Sequence, residues 1–420
     1  MKVHFIGIGG IGVSAIARML LAEGAEVSGS DQAAGQVTAE LEKLGAKISI
    51  GHRAENVPVG VGLVVYTIAI TQDNPEWLRA RELGVELVSY PEYLGRISAS
   101  KFTIAVAGTH GKTTTTAMVT EILVAAGLDP TVIVGSFLKG QKSNFIAGKS
   151  DLLVVEACEY RRSFLNLSPR ILIITNIDND HLDYYTDLAD IQRAFIELVE
   201  KLPPDGLLIT RPKDPVLAPV VAASRARVLD YERLAEEFSL KVPGAHNRAN
   251  AKAALAVAAE LHVPYERAMA ALENFAGTWR RFEYRGELPN GAKVYDDYGH
   301  HPTEIKATLE AARSLKPKRL IVVFQPHLYS RTKKLFADFV TSLGLADLVY
   351  LAPIYAAREP VDPSVTSDQL AEALVADGRS AKVYDRLEAI AETLKAESVS
   401  GDVIVTMGAG DVVKVADLLV

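Results

Sequence analysis

One cysteine, Cys158, is all that 420 residues carry. No intrachain disulfide can form, and a reducing cytoplasm is the compartment this composition fits. Missing too is any run approaching roughly 18 consecutive apolar residues, so no stretch reads as a membrane-spanning helix. The chain opens directly into the strand-like MKVHFIGIG, without charged leader, long apolar core or cleavage site, and is expected to be soluble. It lacks an excess of positive charge: 45 Lys and Arg stand against 52 Asp and Glu, a formal charge of -7. That leaves no electrostatic footprint for nucleic acid or an anionic membrane, and small-molecule substrates fit better. Internal repeats and low-complexity segments are absent. What is there is ample core material, 49% hydrophobic and 23% charged residues, in a length that suits two to three domains.

Short β-rich runs alternate with amphipathic helical runs, which predicts an α/β fold with mainly parallel sheets. A first Rossmann-like unit covers about 1–97, ending in the element Tyr90 to Leu94 and the polar joint Ser98-Ala99-Ser100-Lys101. A second, about 98–277, contains strand-like 151–157 and 170–177, a helical run 187–202, a turn at 203–206, and helical patterns 246–261 and 264–275. Near Gly277 the pattern restarts. The third unit, about 278–420, carries strand-like 293–297, 319–324, 348–351 and 403–407, again Rossmann-like.

The densest signal is FTIAVAGTHGKTTTT at 102–116. An apolar strand breaks into Gly108-Thr109-His110-Gly111-Lys112-Thr113-Thr114, whose backbone N–H groups can face a phosphate at the start of the next helix. Lys112 would reach the β/γ-phosphates of ATP and the Thr113 hydroxyl would hold Mg²⁺. The usual spacing places a glycine at 106, where this chain has Val106, so the loop is a shortened variant. A second glycine turn leaves the first strand: Gly7, Gly9, Gly10, Ile11 and Gly12 open a helix, and Ser30-Asp31 ends the next strand about twenty residues on. Alone, this fits a dinucleotide fingerprint and a nicotinamide oxidoreductase. The geometry asks only for a diphosphate at the turn and a sugar or base near Asp31, so a UDP-linked substrate beside ATP competes with NAD.

GIGGIG with Gly29-Ser30-Asp31, GTHGKTTTT, TNIDNDHLD at 175–183, His246-Asn247, Arg280-Arg281-Phe282 and DDYGHHPTEI at 296–305 together resemble the Mur ligases of peptidoglycan synthesis, in order along the whole chain. Within that family, DDYGHHPTE and FQPHLYSRT at 324–332 look most like the branch that adds L-alanine to UDP-N-acetylmuramate. The resemblance implies three domains: one for the UDP-sugar, a central ATPase, and a C-terminal domain that closes over ATP and the amino acid. It implies ATP-driven activation of the lactyl carboxylate as an acyl phosphate, then attack by the L-alanine amine. By resemblance, Glu156 and His181 join Thr113 at the metal, although an imidazole on Mg²⁺ is less usual. Asn247 matches the residue that reads adenine, Arg281 one that reaches the ATP phosphates, and Asp297 one that holds the ribose. From residue types alone these three could equally be a helix cap, a domain-joint ion pair and a strand end. Tyr298, His300, His327 and Arg331 match the muramyl and amino-acid pocket, with His300 or His327 near the reacting amine.

Two departures stand out. After Glu156 the branch usually carries Glu-Ala-Asp-Glu-Ser-Asp, where this chain has Glu-Ala-Cys-Glu-Tyr-Arg-Arg-Ser at 156–163; Cys158 is expected to be a buried packing residue. Sister ligases carry a carbamylated lysine in the helix after the histidine segment, and 190–197 has no lysine, which suits the alanine-adding branch. The nearest rival is the related ligase that attaches a recycled tripeptide to the same UDP-sugar.

Overall fold

The structure, a computed structural model, describes residues 1–138, 143–234, 238–357 and 359–420. Among these residues three sheets form. The first consists of β1 (Lys2–Ile6), β2 (Glu26–Asp31), β3 (Lys47–Ile50), β4 (Leu63–Tyr66) and β5 (Glu86–Ser89), in the order β3-β2-β1-β4-β5 with every pair parallel. Strand order reverses beside β1, so the glycine turn that leaves β1 opens at the switch point, where doubly wound sheets bind ligands.

The second sheet holds β6 (Phe102–Ala107), β7 (Thr131–Leu138), β8 (Ser143–Ile146), β9 (Leu152–Glu156), β10 (Ile171–Ile174), β11 (Leu207–Thr210) and β12 (Arg227–Asp230). Its order is β12-β11-β10-β6-β9-β7-β8, parallel except for the β7–β8 hairpin. β6 and β10 lie at its centre, almost wholly buried, and read as continuous apolar runs because both of their faces are covered. Val106 is still inside β6, paired with Glu156 and Ile173. The shortened loop therefore begins only after Ala107. The helix that follows, Lys112–Ala125, is buried from Thr113 through Thr120. Its threonines are poor helix formers made tolerable by back-bonding: Thr116 Oγ donates to Lys112 O at 2.9 Å and Thr120 Oγ to Thr116 O at 2.8 Å.

The third sheet holds β13 (Glu283–Glu287), β14 (Lys293–Asp297), β15 (Leu320–Phe324), β16 (Leu348–Leu351), β17 (Ser380–Val383) and β18 (Val403–Met407), in the order β13-β14-β18-β15-β16-β17. Only β13–β14 is antiparallel. Each face of it has its own core, one around Phe324, Phe339 and Leu309, the other around Tyr350, Ile390 and Leu419.

The chain falls into two compact units that do not follow chain order. One comprises Met1–Asn179, Thr186–Phe238 and Asn250–Glu273 and contains the first two sheets; the other comprises Asp180–Tyr185, Ser239–Ala249 and Asn274–Val420. Within the first unit, the helix Ile11–Ala22 packs on β7 and β8, and Asn144 Nδ2 donates to Ile11 O and, at 3.0 Å, to Ser14 Oγ. At the expected polar joint 98–101 the helix Tyr90–Ala99 ends and the chain steps into β6; Ala99 and Ser100 are exposed there, but Ser98 is buried. Ser98 accepts from Thr103 Oγ at its carbonyl and from Ser168 N at its hydroxyl, both at 2.8 Å. Ser98 thus satisfies a packed seam rather than solvating a linker. Among the described residues no helix is long and apolar enough to cross a membrane.

Candidate active site

In the first unit the helices Ile11–Ala22 and Lys112–Ala125 start from glycine turns, at Gly10 and Gly111, without a side-chain cap. Neighbouring helices in the same unit are capped by Asn74 and Ser89. The uncapped first turns leave backbone N–H groups for an anion, with the positive end of the helix dipole behind them. In the first turn, a Cβ on Gly7 would lie 2.4 Å from Thr67 Cγ2, and one on Gly12 would lie 2.5 Å from the Tyr90 ring. Gly9 N donates to Asp31 Oδ2 at 2.8 Å, so the acid at the end of β2 is tied to the turn. Ser30, expected at the ligand, is buried, and its hydroxyl is turned to Glu76 Oε2 at 2.6 Å.

The second turn is tighter. Gly108 has φ +128°, where a Cβ would sit 2.0 Å from Thr175 Oγ; Gly111 has φ +85°, where one would sit 2.6 Å from Asn250 Oδ1. Only glycine fits both positions. The end of β10 clamps the loop: His110 N donates to Asn176 Oδ1 at 2.8 Å, Thr175 Oγ donates to His110 O at 2.6 Å, and Thr109 Oγ accepts from Asp178 N at 2.9 Å. Lys112 Nζ donates to Gly108 O at 2.6 Å and Thr109 O at 2.9 Å, and pairs with Glu159 at 2.9 Å. Burial alone would depress this lysine, but Glu159, with Glu156 further off, more than offsets that and holds the ammonium above the ordinary lysine range. Thr113 Oγ lies 3.1 Å from each Glu156 oxygen, and Gly135 N donates to Glu156 Oε2 at 2.8 Å. A hydroxyl beside an oriented carboxylate is an all-oxygen donor set that suits a hard cation such as Mg²⁺. His181 belongs to the other compact unit.

Cys158 is a second correction: it lies just past the end of β9 and is exposed, between the buried Ala157 and Glu159. The two arginines that follow both adopt left-handed backbone, φ 51° and 55°. Arg162 pairs with Asp190 at 2.9 Å and with Glu197, and Arg161 Nη1 donates to Ile68 O at 3.1 Å. Arg162 thus braces the helix Leu188–Glu200, while Arg161 ties the loop to the segment after β4.

The second unit brings the expected amino-acid pocket together. Arg331 Nη2 donates to Asp180 Oδ1 at 2.9 Å, and its Nη1 lies 3.1 Å from His327 Nδ1. The His300 ring stands 5.7 Å from that of His327 and edge-on to Tyr298 at 5.6 Å. Burial pulls the pKa of His300 down to about 4, with Arg331 adding to the effect. His300 is therefore neutral near pH 7; with Nδ1 3.1 Å from Tyr298 O, that nitrogen carries the proton and Nε2 is an acceptor. Burial would raise Asp180, but His181, Arg331, His300 and His301 hold it far below the ordinary range. Asp297 is buried between the N–H groups of Phe282 at 2.7 Å and Gly299 at 2.6 Å, and burial lifts its pKa to about 6. Arg281 lies 3.8 Å from Glu304 and over the Tyr298 ring at 5.4 Å. Asn247 Nδ2 donates to Pro243 O at 2.7 Å, at the entry to the helix Ala245–Glu260.

The residue reading missed Glu159, the partner of Lys112, and Asp180, the partner of Arg331. Both stood inside quoted motifs. An acid three to six residues past a strand end was the available signal, but nothing local says which cation it meets.

Three family models match the chain in order: "Mur ligase family, catalytic domain" at residues 2–102, "Mur ligase middle domain" at 106–237 and "Mur ligase, glutamate ligase domain" at 280–410. The chain is 42% identical to the UDP-N-acetylmuramate–L-alanine ligase of Clostridium perfringens, over 99% of this chain and 97% of the relative. Among solved structures it is similar to UDP-N-acetylmuramate-alanine ligase from Thermotoga maritima, with TM-score 0.84 and 30% identity over 99% of this chain and 97% of that one. A murein peptide ligase from Psychrobacter arcticus follows with TM-score 0.72 and 26% identity, over 100% and 98%.

Proposed function

We infer from the Mur ligase family, to which this chain belongs from its first sheet to its last, how its residues divide the work of the reaction. The enzyme is a ligase that joins L-alanine to UDP-N-acetylmuramate in peptidoglycan precursor synthesis, and so serves cell wall biogenesis. Its architecture is the three-domain α/β arrangement of that family, with parallel Rossmann-like sheets at both ends. We place the UDP-sugar on 1–97, ATP on 98–277, and the domain that closes over ATP and the amino acid on 278–420. The work is placed in the cytoplasm.

The observation that carries the reading is the glycine-forced turn at 108–111 with Lys112, Thr113 and Glu156 converging on it. ATP lies with its phosphates on the N–H groups of that turn, and Lys112 neutralises charge that develops on the γ-phosphoryl group. Thr113 and Glu156, joined by His181, hold Mg²⁺, which when bound shields the crowded oxygens. The lactyl carboxylate oxygen attacks the γ-phosphorus, forming the acyl phosphate and releasing ADP. The L-alanine amine then attacks the acyl carbon, phosphate leaves, and the amide remains. His300, neutral with Nε2 as acceptor, is suited to take the amine proton; Arg331 pairs with the alanine carboxylate. Asn247, Arg281 and Asp297 hold the adenine, phosphate and ribose ends of ATP. The first-sheet turn, with Gly9, Gly10, Ile11, Gly12 and Asp31, holds the UDP-sugar.

Phosphate release from ATP is the test, and it should require UDP-N-acetylmuramate and an amine together. L-alanine should outperform the tripeptide L-alanyl-γ-D-glutamyl-diaminopimelate; the reverse would move the chain to the tripeptide-adding branch, which the likeness to the murein peptide ligase keeps as the second reading. UDP-N-acetylmuramate should raise the melting temperature by mass action and NADH should not.

A further inference from the structure

Beneath the first-sheet turn lies a polar network that the chemical steps do not touch. Glu76, on the helix Pro75–Glu82, is completely buried. Its Oε2 accepts from His4 Nε2 at 3.0 Å and Ser30 Oγ at 2.6 Å; its Oε1 accepts from Asn56 Nδ2 at 2.6 Å and Arg53 N at 3.1 Å. Burial would raise the carboxyl pKa, but the hydrogen bonds from His4, Ser30 and Asn56 more than offset it and keep Glu76 ionised, an acceptor only. His52 Nδ1 lies 2.9 Å from Ser30 Oγ and 3.5 Å from Glu76 Oε1.

A serine hydroxyl has one proton. Ser30 gives it to Glu76, so toward His52 its oxygen can only accept, and the carboxylate beside it can only accept as well. Nδ1 of His52 must therefore carry the proton, and in the neutral ring Nε2 is left as an acceptor. Ser30 and Glu76 are sealed from solvent, whereas the His52 side chain keeps 11% of its surface open. His52 follows the end of β3, and its neighbour Gly51 donates to Asp31 O at 2.8 Å. The ring thus stands beside the C-terminal end of β2, where such sheets receive the nucleoside.

We propose that Glu76 is a positioning residue for the UDP-sugar: acting through Ser30, it fixes His52 in the Nδ1–H tautomer, so that Nε2 selects a hydrogen-bond donor on the uridine. This rests on the reading of the first sheet as the UDP-sugar site. A cytidine nucleotide, whose ring N3 bears no proton, is disfavoured if the donor is the uracil imide; a 2′-deoxy nucleotide is disfavoured if it is the ribose hydroxyl.

Histidine-selective ¹³C and ¹⁵N NMR of the free full-length protein should show His52 as the Nδ1–H tautomer, and Ser30→Ala, which leaves His4, Asn56 and Arg53 on Glu76, should shift it to a mixture. Both Ser30→Ala and Glu76→Gln should raise KM for UDP-N-acetylmuramate by about tenfold, the size of one lost hydrogen bond to a charged network. In Glu76→Gln, KM for ATP and for L-alanine should stay unchanged. Calorimetry with UDP, CDP, N3-methyl-UDP and 2′-deoxy-UDP then identifies the donor. An Nε2–H tautomer in the parent protein, or KM changes spread evenly over the three substrates, overturns the proposal while UDP binding leaves the site reading intact. Failure of the parent to bind UDP at all overturns both, and the tautomer signal tells the two failures apart.

Discussion

The turn at Gly108 to Thr113 and the cluster around Arg331 are built on opposite plans. The turn is one short stretch of chain, shaped by two glycines whose neighbours leave no room for a Cβ. The cluster gathers Asp180, His300, His327 and Arg331 from three separate segments, with Asp180 and Arg331 151 positions apart. In the turn, charge is met by backbone dipoles and one lysine pair, and the geometry survives as long as the backbone does. In the cluster, buried cations and anions hold one another, so its integrity depends on protonation. A preorganised backbone suits the transfer of a phosphoryl group, whose demand is fixed. A balanced set of side chains suits recognition of a small zwitterion, which must enter and compete with internal partners.

The comparison breaks most sharply at Lys112. Lys112→Ala should cost about 10³-fold or more in kcat with the fold intact by circular dichroism, since charge stabilisation at phosphoryl sites has this size. A loss under tenfold would mean that the backbone alone suffices. Next comes the backbone itself: Gly108→Ala forces a Cβ against Thr175 at a φ foreign to alanine, and should cost about 3 kcal/mol of stability or an equivalent loss of ATP affinity. Calorimetric unfolding and nucleotide titration together would read it.

In the cluster, Arg331→Ala should raise KM for L-alanine by roughly 30- to 100-fold and KM for ATP by far less, the worth of a desolvated carboxylate pair. Asp180→Asn sharpens this. It removes the internal competitor for Arg331 and should perturb L-alanine binding less than Arg331→Ala does.

The smallest effect is the pH slope. His246 and His300, both brought by burial to about 4, bind protons more readily unfolded, so between about pH 4 and 6.5 they make stability fall as pH falls. Asp297, raised to about 6, acts oppositely: from about pH 4 to 6 it is protonated when folded and ionised when unfolded. Two protons against one leave a net of about one, at most ~1.4 kcal/mol per pH unit, with stability declining into acid. Asp297→Asn removes the opposing proton and should steepen the slope toward about two protons. Denaturant midpoints at pH 4.5, 5.25 and 6, at roughly these spacings, would show it.

Much was legible because it is local. β16 and β18 fall where mostly apolar runs are bounded by polar turns, and both glycine turns sit where strand, glycines and helix follow in order. The β7–β8 hairpin was not legible. Gly135 interrupts its apolar alternation, and the reason for that glycine is the carboxylate of Glu156, which would lie 2.8 Å from any Cβ there. Ser98 misled for a similar cause: a serine that read as part of a solvated joint is paired across a packed surface.

Sequence by itself determined most of the strands, the two glycine turns and the family chemistry, because each rests on residues close in the chain whose φ, period or spacing admits few alternatives. Tertiary structure alone decided which charges meet. Lys112 finds Glu159, Arg331 finds Asp180, and Glu76 finds Ser30, because a buried charge must be compensated by whatever the fold brings within about 3 Å, and no local pattern states what that will be.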